Sequence, residues 1–184
     1  MDKIKYYSDK SVVDNYYSMR YGGKSGKFVI RRELSTVKKF LPPKGKVLDV
    51  ACGLGRVSEI LSKDHDITGI DSSPNMLKKC VYEKKILGKA TDLPFKETFD
   101  IVIILRLLFH YKNIGLFLKE AKKATKKGGI IIFETYRWSP KMFFDIKALG
   151  GKIFVYSDKK IVKTLKDLNL RLVGKTSISL FFCI

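Results

Sequence analysis

The sequence predicts an α/β fold in which a mostly parallel, doubly wound sheet of seven strands carries helices on both faces. Two observations lead to this class. Short apolar runs alternate with helical patterns from Lys46 onward, and the chain ends in two strand-like runs with no helix between them. Because parallel neighbours need a long crossover and antiparallel neighbours do not, we expect the last two runs to form a hairpin.

Five short strands are predicted first, and the fourth is apolar at nearly every position, which is typical of a strand that is buried on both faces. They cover residues 47–50, 66–70, 86–89, 100–105 and 130–135. The predicted hairpin covers residues 171–175 and 178–184. Asp49 ends the first run and Asp71 follows the second. Both should therefore lie at the carboxyl edge of the sheet, where open α/β sheets bind their ligands.

Helical periodicity separates these strands. The predicted helices cover residues 56–63, a stretch that begins at 72–75, residues 114–126 and residues 158–169. In the second helix Ser72 or Ser73 can act as the N-cap, and Pro74 suits the first turn. Its expected apolar stripe is Met76, Leu77, Cys80 and Val81. We expect the glycines at 128–129 to stop the third helix.

The composition indicates one domain with one sizeable core, since the chain has 184 residues and is 45% hydrophobic. We predict a single domain over residues 1–184. It comprises an N-terminal cap of one or two helices over 1–43, a binding core over 44–136, and a helix with a hairpin over 137–184.

The chain shows no targeting or metal-binding pattern. No apolar run approaches the roughly 20 residues that span a bilayer, and the N-terminus lacks the apolar region of a secretory signal. The three cysteines are odd in number and lack CxxC spacing. We therefore expect a cytoplasmic protein without a transmembrane segment or a metal site.

The formal net charge of +19 indicates either an anionic partner, such as RNA or a lipid surface, or a bias of composition. The bias is plausible because the lysines are spread over most predicted helices. The N-terminal cap combines basic residues with Tyr16, Tyr17 and Tyr21. That pattern suits a stacking surface for RNA bases or ordinary packing of an amphipathic helix, and both interpretations stay open.

The loop after the first strand is rich in small residues, which lets backbone approach a ligand closely. It lacks the Gly-Lys-Ser/Thr ending of a P-loop, and Ser58 stands where a dinucleotide fingerprint has its third glycine. Asp49, Asp71 and Asp92 are expected at the same edge. Three acids disfavour a phosphate ligand and favour hydroxyls, amines and a cation.

Four segments together resemble the class I S-adenosylmethionine-dependent methyltransferases, in particular the small type 11 group. VLDVACGLGR at 47–56 is similar to that family's first motif, with Ala51 in place of a commoner glycine. ITGIDSSPNML at 67–77 is similar to the second, GKATDLPFKETFDIVII at 88–104 to the third with its strand, and KKATKKGGIIIFE at 122–134 to the segment before the fifth strand.

The resemblance covers about residues 44–136 and implies a Rossmann-like fold with S-adenosyl-L-methionine as cofactor. The implied activity is methyl transfer, by in-line displacement, to a small-molecule or lipid-like acceptor. An RNA methyltransferase that uses the basic N-terminal face and a non-catalytic cofactor-binding module are the alternatives. A nicotinamide dehydrogenase is a more distant one.

The resemblance also implies roles for individual residues. The loop that borders the methionine part of the cofactor would be Asp49, Ala51, Cys52, Gly53 and Gly55. The ribose would meet Asp71, with Ser72 and Met76 nearby, and the adenine amine would meet Asp92 and the Leu93 backbone. The methyl donor would lie beside Leu105 and Arg106, and Arg20 is a candidate partner of the cofactor carboxylate.

Simpler roles exist for several of these residues. The three aspartates could be helix caps or turn residues, the glycines could serve a tight turn, and Cys52 could be a buried filler. No residue stands out as catalytic, because an activated methyl donor chiefly needs a positioned acceptor.

The weak catalytic candidates are His110, Tyr111 and Glu134. His110 could instead be a structural histidine, and Glu134 could pair with a nearby lysine. The aromatic stretch at 135–146 could wall the acceptor pocket or belong to the core.

Overall fold

The computed structural model describes residues 3–136, 153–176 and 180–183. Seven strands in these residues form one sheet in the order β3-β2-β1-β4-β5-β7-β6. They are β1 (Gly45–Val50), β2 (His65–Asp71), β3 (Lys84–Leu87), β4 (Phe99–Ile104), β5 (Thr125–Glu134), β6 (Leu172–Lys175) and β7 (Leu180–Cys183). The first five pair in parallel, and β7 pairs antiparallel with β5 and β6. The predicted fold class and the hairpin are therefore confirmed.

Six α-helices and two short 3-10 helices accompany the sheet in the described part of the chain. The α-helices are α1 (Lys3–Ser8), α2 (Lys10–Tyr21), α3 (Lys24–Lys38), α4 (Pro74–Lys79), α5 (Gly115–Ala124) and α6 (Asp158–Asp167). The 3-10 helices are Arg56–Ile60 and Leu108–His110. None of the described helices is both long and apolar enough to cross a bilayer.

The core lies on both faces of the central strands. Ile101 and Ile103 of β4 point into the cluster that contains Val37 of α3, and Val102 and Ile104 point into the cluster beneath α5 and α6. All four β4 side chains are fully buried. This alternation anchors the N-terminal cap on one face of the sheet and leaves the strand ends available for a site.

The N-terminal cap contains three helices rather than one or two. Asp9 interrupts the helical run, because its side chain accepts hydrogen bonds from the backbone N–H groups of Ser11 and Val12 and caps α2. The turn at Gly22 and Gly23 then reverses the chain into α3. A side-chain cap and a glycine pair thus divide a segment whose periodicity suggests a longer helix.

Two predicted helices end differently in the structure. The predicted helix over 56–63 is only the 3-10 helix Arg56–Ile60. The helix at 72–75 begins as predicted, with Ser73 as N-cap and Pro74 at the first position, but it ends at Lys79. Cys80 is its C-cap and is buried beside Leu77, as predicted, whereas Val81 is 67% exposed. The predicted apolar stripe is therefore wrong at Val81.

The glycines at 128–129 do not stop the third predicted helix. That helix, α5, ends at Ala124, and β5 begins at the next residue. The pairing of β5 with β4 shifts register between Thr125 and Ile130, and Gly128 within the shift has φ +75°. The glycines therefore serve a strand irregularity, and β5 is longer than predicted.

Candidate active site

A cavity of about 400 Å³ lies at the carboxyl ends of β1, β2 and β4. The loops after these strands form its floor, and α1 and α2 of the cap form the wall opposite the floor. The cap contributes Ile4, Tyr7, Tyr16, Tyr17 and Tyr21. A second cavity of about 110 Å³ shares several lining residues with it and extends to residues 88–91. The position agrees with the general rule for ligands of open α/β sheets.

The loop after β1 forms part of the floor through unusual backbone conformations. Ala51, Gly53 and Gly55 have φ values of 57°, 55° and 83°, in the left-handed region. Gly53 lines the cavity, and a Cβ atom at this position would have no other atom within 4 Å. The loop therefore leaves open space beside the Gly53 backbone, which allows close approach of a ligand. Ala51 bears the strain that glycine would avoid.

Asp71 links the two central loops. Its Oδ2 accepts a hydrogen bond of 2.9 Å from the Gly53 N–H, and its Oδ1 accepts one of 2.8 Å from the Ser73 N–H. Burial raises the pKa of Asp71, and its hydrogen bonds from backbone N–H groups oppose that rise. Asp71 lines both cavities together with Ser72, and the buried Met76 lines the larger one.

Asp49 lies behind the loop rather than in the cavity. It is buried, and its Oδ2 accepts a 2.7 Å hydrogen bond from the Tyr82 hydroxyl. Burial raises the pKa of Asp49 to about 7, although the Tyr82 hydrogen bond lowers it. Direct contact of Asp49 with a ligand is therefore not supported. Cys52 lines the cavity and also packs in a buried cluster with Cys80, whose Sγ is 4.0 Å away.

A buried ion cluster joins the cap to the strand ends. Glu33 of α3 is 3% exposed, and its two carboxylate oxygens accept hydrogen bonds from Arg56 at 2.6 Å and from Arg106 at 2.9 and 3.0 Å. Arg56 lies over the Tyr21 ring at 5.8 Å. Burial opposes the ionisation of Glu33, but the two arginines outweigh it and lower its pKa. The cluster thus fixes α3 against two loops of the cavity.

Glu134 belongs to the same cluster. Its Oε2 accepts a 3.1 Å hydrogen bond from the Arg106 backbone N–H and lies 3.5 Å from the Arg106 Nε. Burial, followed by repulsion from Glu33, raises the pKa of Glu134 to about 7. Glu134 is not among the described residues that line the two cavities, so its position gives no support to the interpretation that it faces the acceptor. Its partner is an arginine rather than the expected lysine.

Arg106 and Leu105 follow β4 as predicted, and both line the cavity. The Arg106 guanidinium is held by Glu33 and donates a 3.1 Å hydrogen bond to the Tyr136 hydroxyl. Arg106 has φ +60°, an uncommon value for a residue with a side chain. Its backbone and side chain are thus both fixed by neighbours at the point where the floor meets the cap.

His110 and Tyr111 line the cavity on the side of α1. His110 lies in a 3-10 helix, is buried, and has its Nε2 3.4 Å from the Tyr7 hydroxyl. The Tyr111 backbone carbonyl accepts a hydrogen bond from Tyr156, and its ring contacts Phe117 at 4.5 Å. Both residues therefore have structural partners as well as access to the cavity.

The predicted adenine contacts are only partly supported. Asp92 is exposed and lies next to Thr91, which lines the smaller cavity. The Leu93 N–H donates a 2.8 Å hydrogen bond to Glu120, and its side chain is buried in the core. The expected help from the Leu93 backbone is not supported for its N–H group, because that donor already bonds to Glu120. The side chain of Arg20 and the aromatic residues at 137–146 lie outside the described part of the structure.

Sequence reasoning missed Glu33, Arg56 and Tyr7. Glu33 had a readable signal, because it is the first acidic residue after Asp14 in a strongly basic stretch. A lone acid on the buried face of such a helix predicts buried cationic partners. No group of His, Cys, Asp and Glu able to hold a metal ion occurs in the described residues.

Comparison with known proteins agrees with this geometry. The family described as "Methyltransferase domain" matches residues 48–133. Demethylmenaquinone methyltransferase of Lysinibacillus sphaericus is 34% identical over 175 residues, which cover 82% of this chain and 74% of that protein. The 2-methyl-6-phytyl-1,4-hydroquinone methyltransferase of Synechocystis is 36% identical over 102 residues, which cover 50% of this chain and only 32% of that protein.

Among solved structures, magnesium protoporphyrin IX methyltransferase from Synechocystis with bound SAH has a TM-score of 0.76 at 17% identity. The match covers 97% of this chain and 95% of that one. At that identity the likeness shows the fold.

Proposed function

Because the chain belongs to the class I S-adenosylmethionine-dependent methyltransferases, we propose that it methylates a planar, lipid-like acceptor of the quinol type in the cavity at the carboxyl edge of the sheet. S-adenosylmethionine supplies an activated methyl group on a sulfonium. The protein's own task is therefore to hold the acceptor in line with that group and to exclude water.

The proposal assigns the cofactor to the floor of the cavity. Gly53 and the strained Ala51 leave room beside the backbone, and Asp71 offers carboxylate oxygens to the ribose hydroxyls. The smaller cavity, which reaches residues 88–91, suits the adenine. Asp92 is kept as the acceptor for the adenine amine.

We assign the cofactor carboxylate to Arg56. This residue lines the cavity, and its Nη1 is buried without a hydrogen-bond acceptor among the described residues. Glu33 already accepts from its other terminal nitrogen, so the guanidinium is held in place. A buried donor that lacks an acceptor favours a ligand that supplies one.

The observation that carries the acceptor class is the aromatic wall opposite the floor. Tyr7, Tyr16 and Tyr21 form a chain of edge-to-face contacts at 6.1 and 6.3 Å beside the loop after β1. Such a wall suits a planar apolar ring. The ion cluster contains two glutamates and two arginines. Its net positive charge is therefore small, which disfavours an acceptor that carries a phosphate. Two relatives are named as methyltransferases of a hydroquinone and of demethylmenaquinone, which supports the same class.

The proposal gives His110 the role of general base for an acceptor hydroxyl. His110 lines the cavity, and its Nε2 lies near the Tyr7 hydroxyl, so a hydroxyl on the acceptor could exchange a proton with this pair. We further propose that the chain is one domain, in which residues 1–43 form the cap, residues 44–136 form the cofactor-binding core, and residues 137–184 form the C-terminal part with a helix and a hairpin.

The test is methyl transfer from radiolabelled S-adenosylmethionine to a panel of a reduced naphthoquinone, a catechol, a primary amine and unmodified tRNA. We expect label in the naphthoquinol, and at least about tenfold less after His110→Gln if the proton is removed there. Label in tRNA alone, or in the amine alone, contradicts the acceptor class.

A further inference from the structure

We propose that the outer face of the N-terminal cap docks on the surface of an anionic lipid bilayer. The outer face consists of Met19, Lys24, Lys27, Phe28, Val29, Arg31 and Arg32, all of them exposed. It lies on α2 and α3, which pack together, and α2 also lines the cavity. The proposal concerns a binding surface and does not depend on turnover.

The apolar part of this face consists of three exposed side chains. Met19 and Phe28 are each 63% exposed, and Val29 is 45% exposed. On α3, Phe28 points away from the buried residues Ile30 and Leu34, which pack against Tyr21. The apolar side chains are therefore available to another surface rather than to this protein's own core.

Basic residues surround Phe28 on the same side of α3. Lys24 lies four residues before it, and Arg31 and Arg32 lie three and four after it, which places all of them on one helix face. Lys27 is exposed beside them. Exposed Phe with Lys and Arg on one helix face is the pattern of helices that lie in a membrane interface.

Lys24, Lys27 and Arg31 carry positive charge that no acid neighbouring in sequence balances. The chain has five basic residues and no acidic residue between Asp14 and Glu33. Glu33 points inward to Arg56 and Arg106, as described above. Among the ion pairs in the described residues, none involves Lys24, Lys27 or Arg31. An anionic surface is the complementary partner.

Two other occupants fit less well. A second copy of the chain would bring two basic faces together in a protein of net charge +19, which repulsion opposes. RNA would meet the charges, but Met19 and Val29 have no ring on which a base can stack. Both aliphatic side chains gain more from the boundary between lipid headgroups and acyl chains.

The location links the surface to the site. α2 contributes Tyr16, Tyr17 and Tyr21 to the cavity wall, and the exposed rim includes Ile4 and Tyr17, 42% and 48% exposed. Docking of the cap would thus hold the rim near lipid, from which an apolar acceptor of the proposed class could enter. This last link rests on the proposed function, whereas docking itself does not.

The test is co-sedimentation of the full chain with vesicles. One set contains phosphatidylglycerol and phosphatidylcholine in equal parts, and the other contains phosphatidylcholine alone. We expect binding to the anionic vesicles only. Reversing three charges with Lys24→Glu, Lys27→Glu and Arg31→Glu should weaken it by at least about a hundredfold, since removing each basic residue alone costs a factor of about five. Met19→Ser with Phe28→Ser should weaken it about tenfold.

Matched controls distinguish the effect of this face from the effects of net charge and of exposed apolar side chains in general. Lys119→Glu, Lys127→Glu and Lys159→Glu make the same charge change at exposed sites elsewhere, and Leu116→Ser removes an apolar side chain that is 53% exposed on α5. We expect less than about a threefold effect from either control. All these sites are exposed, so unchanged thermal melting should show that every variant folds.

Three outcomes would overturn the proposal: equal binding to both vesicle types, an equal loss in the controls, or a gel shift of tRNA that needs the outer face while vesicles are not bound. Vesicle binding without methylation of any quinol would refute only the acceptor class. Methylation of dispersed quinol without vesicle binding would refute only the docking surface.

Discussion

At the scale of single residues, the site combines strained backbone with buried ionisable groups. Ala51 adopts a left-handed conformation directly beneath the cavity, and Asp49 and Asp71 are carboxylates held away from bulk water. Such features cost stability, and they persist because the surrounding contacts fix them. Each makes a separate prediction.

Ala51→Gly should stabilise the protein. A left-handed alanine costs about 1–2 kcal/mol, and the extra chain entropy of glycine returns about 0.5–1 kcal/mol of that. The free energy of unfolding in urea should therefore rise by about 0.5–1 kcal/mol. Ala90→Gly, at a residue outside the left-handed region, should lower it instead. A loss of stability in Ala51→Gly would contradict the assigned conformation.

Asp49 should make stability fall as pH rises. The pKa of Asp49 is about 7 in the folded protein, compared with 3.8 for an aspartate free of such surroundings, as in the unfolded chain. Between these values the unfolded chain has released the proton and the folded chain has kept it, so raising the pH favours unfolding by roughly 1.4 kcal/mol for each pH unit. Above about pH 7 the effect is constant.

Asp49→Asn removes this dependence while keeping an acceptor for the Tyr82 hydroxyl. The free energy of unfolding in urea, measured between the pKa values of Asp49 in the unfolded and folded states, should rise in the variant relative to the wild type as pH rises. Parallel curves would show that Asp49 ionises normally in the folded protein.

Arg56 should discriminate between ligands by their carboxylate. Arg56→Lys should weaken binding of S-adenosylhomocysteine by at least about tenfold, because a charge-assisted hydrogen bond is lost. Methylthioadenosine, which lacks the amino-acid part, should lose less than about threefold. Isothermal titration of both ligands measures the ratio, and an equal loss for the two would place the carboxylate elsewhere.

At the scale of elements, Glu33 is the contact that ties α3 to the loops of the site. Glu33→Gln would leave Arg56 and Arg106 buried with one carboxylate fewer, at a cost of about 3–5 kcal/mol. Thermal unfolding should show the loss, and hydrogen exchange should show faster opening of residues 24–38. Glu83→Gln, at an exposed residue, serves as the control. Unchanged exchange in α3 would refute the role of Glu33.

The order of elements was predictable from the sequence, since apolar runs and helical periods follow directly from which faces are buried. Element ends were less predictable. Lys126 and Lys127 suit a helix or an edge of a strand equally, so only the pairing with β4 reveals that β5 starts at Thr125. The end of α4 likewise depends on Val81, whose backbone N–H bonds to Leu54 in the loop after β1.

The candidate site was predictable where a residue's role depends on its position along a strand. Gly53, Asp71 and Leu105 line the cavity for that reason. The role of a residue was not predictable where it forms a hydrogen bond with a residue that is distant in the sequence. The Leu93 N–H bonds to Glu120, and Glu134 bonds to Arg106, and neither contact has a local sequence signature.

At the scale of the whole molecule, the sheet supplies a rigid floor and the basic cap supplies an aromatic wall. We propose that S-adenosylmethionine binds between them at Asp71. Asp100 provides a matched control, because its carboxylate accepts from the Lys46 N–H and pairs with Lys126 at the opposite, amino edge of the sheet.

The most direct measurement is therefore calorimetric titration of S-adenosylhomocysteine into the wild type, Asp71→Asn and Asp100→Asn. We predict binding by the wild type and by Asp100→Asn with similar affinity. Asp71→Asn should bind about ten- to a hundredfold more weakly, because hydrogen bonds to a buried carboxylate are lost. Absence of binding by the wild type, or equal binding by Asp71→Asn, would contradict the account.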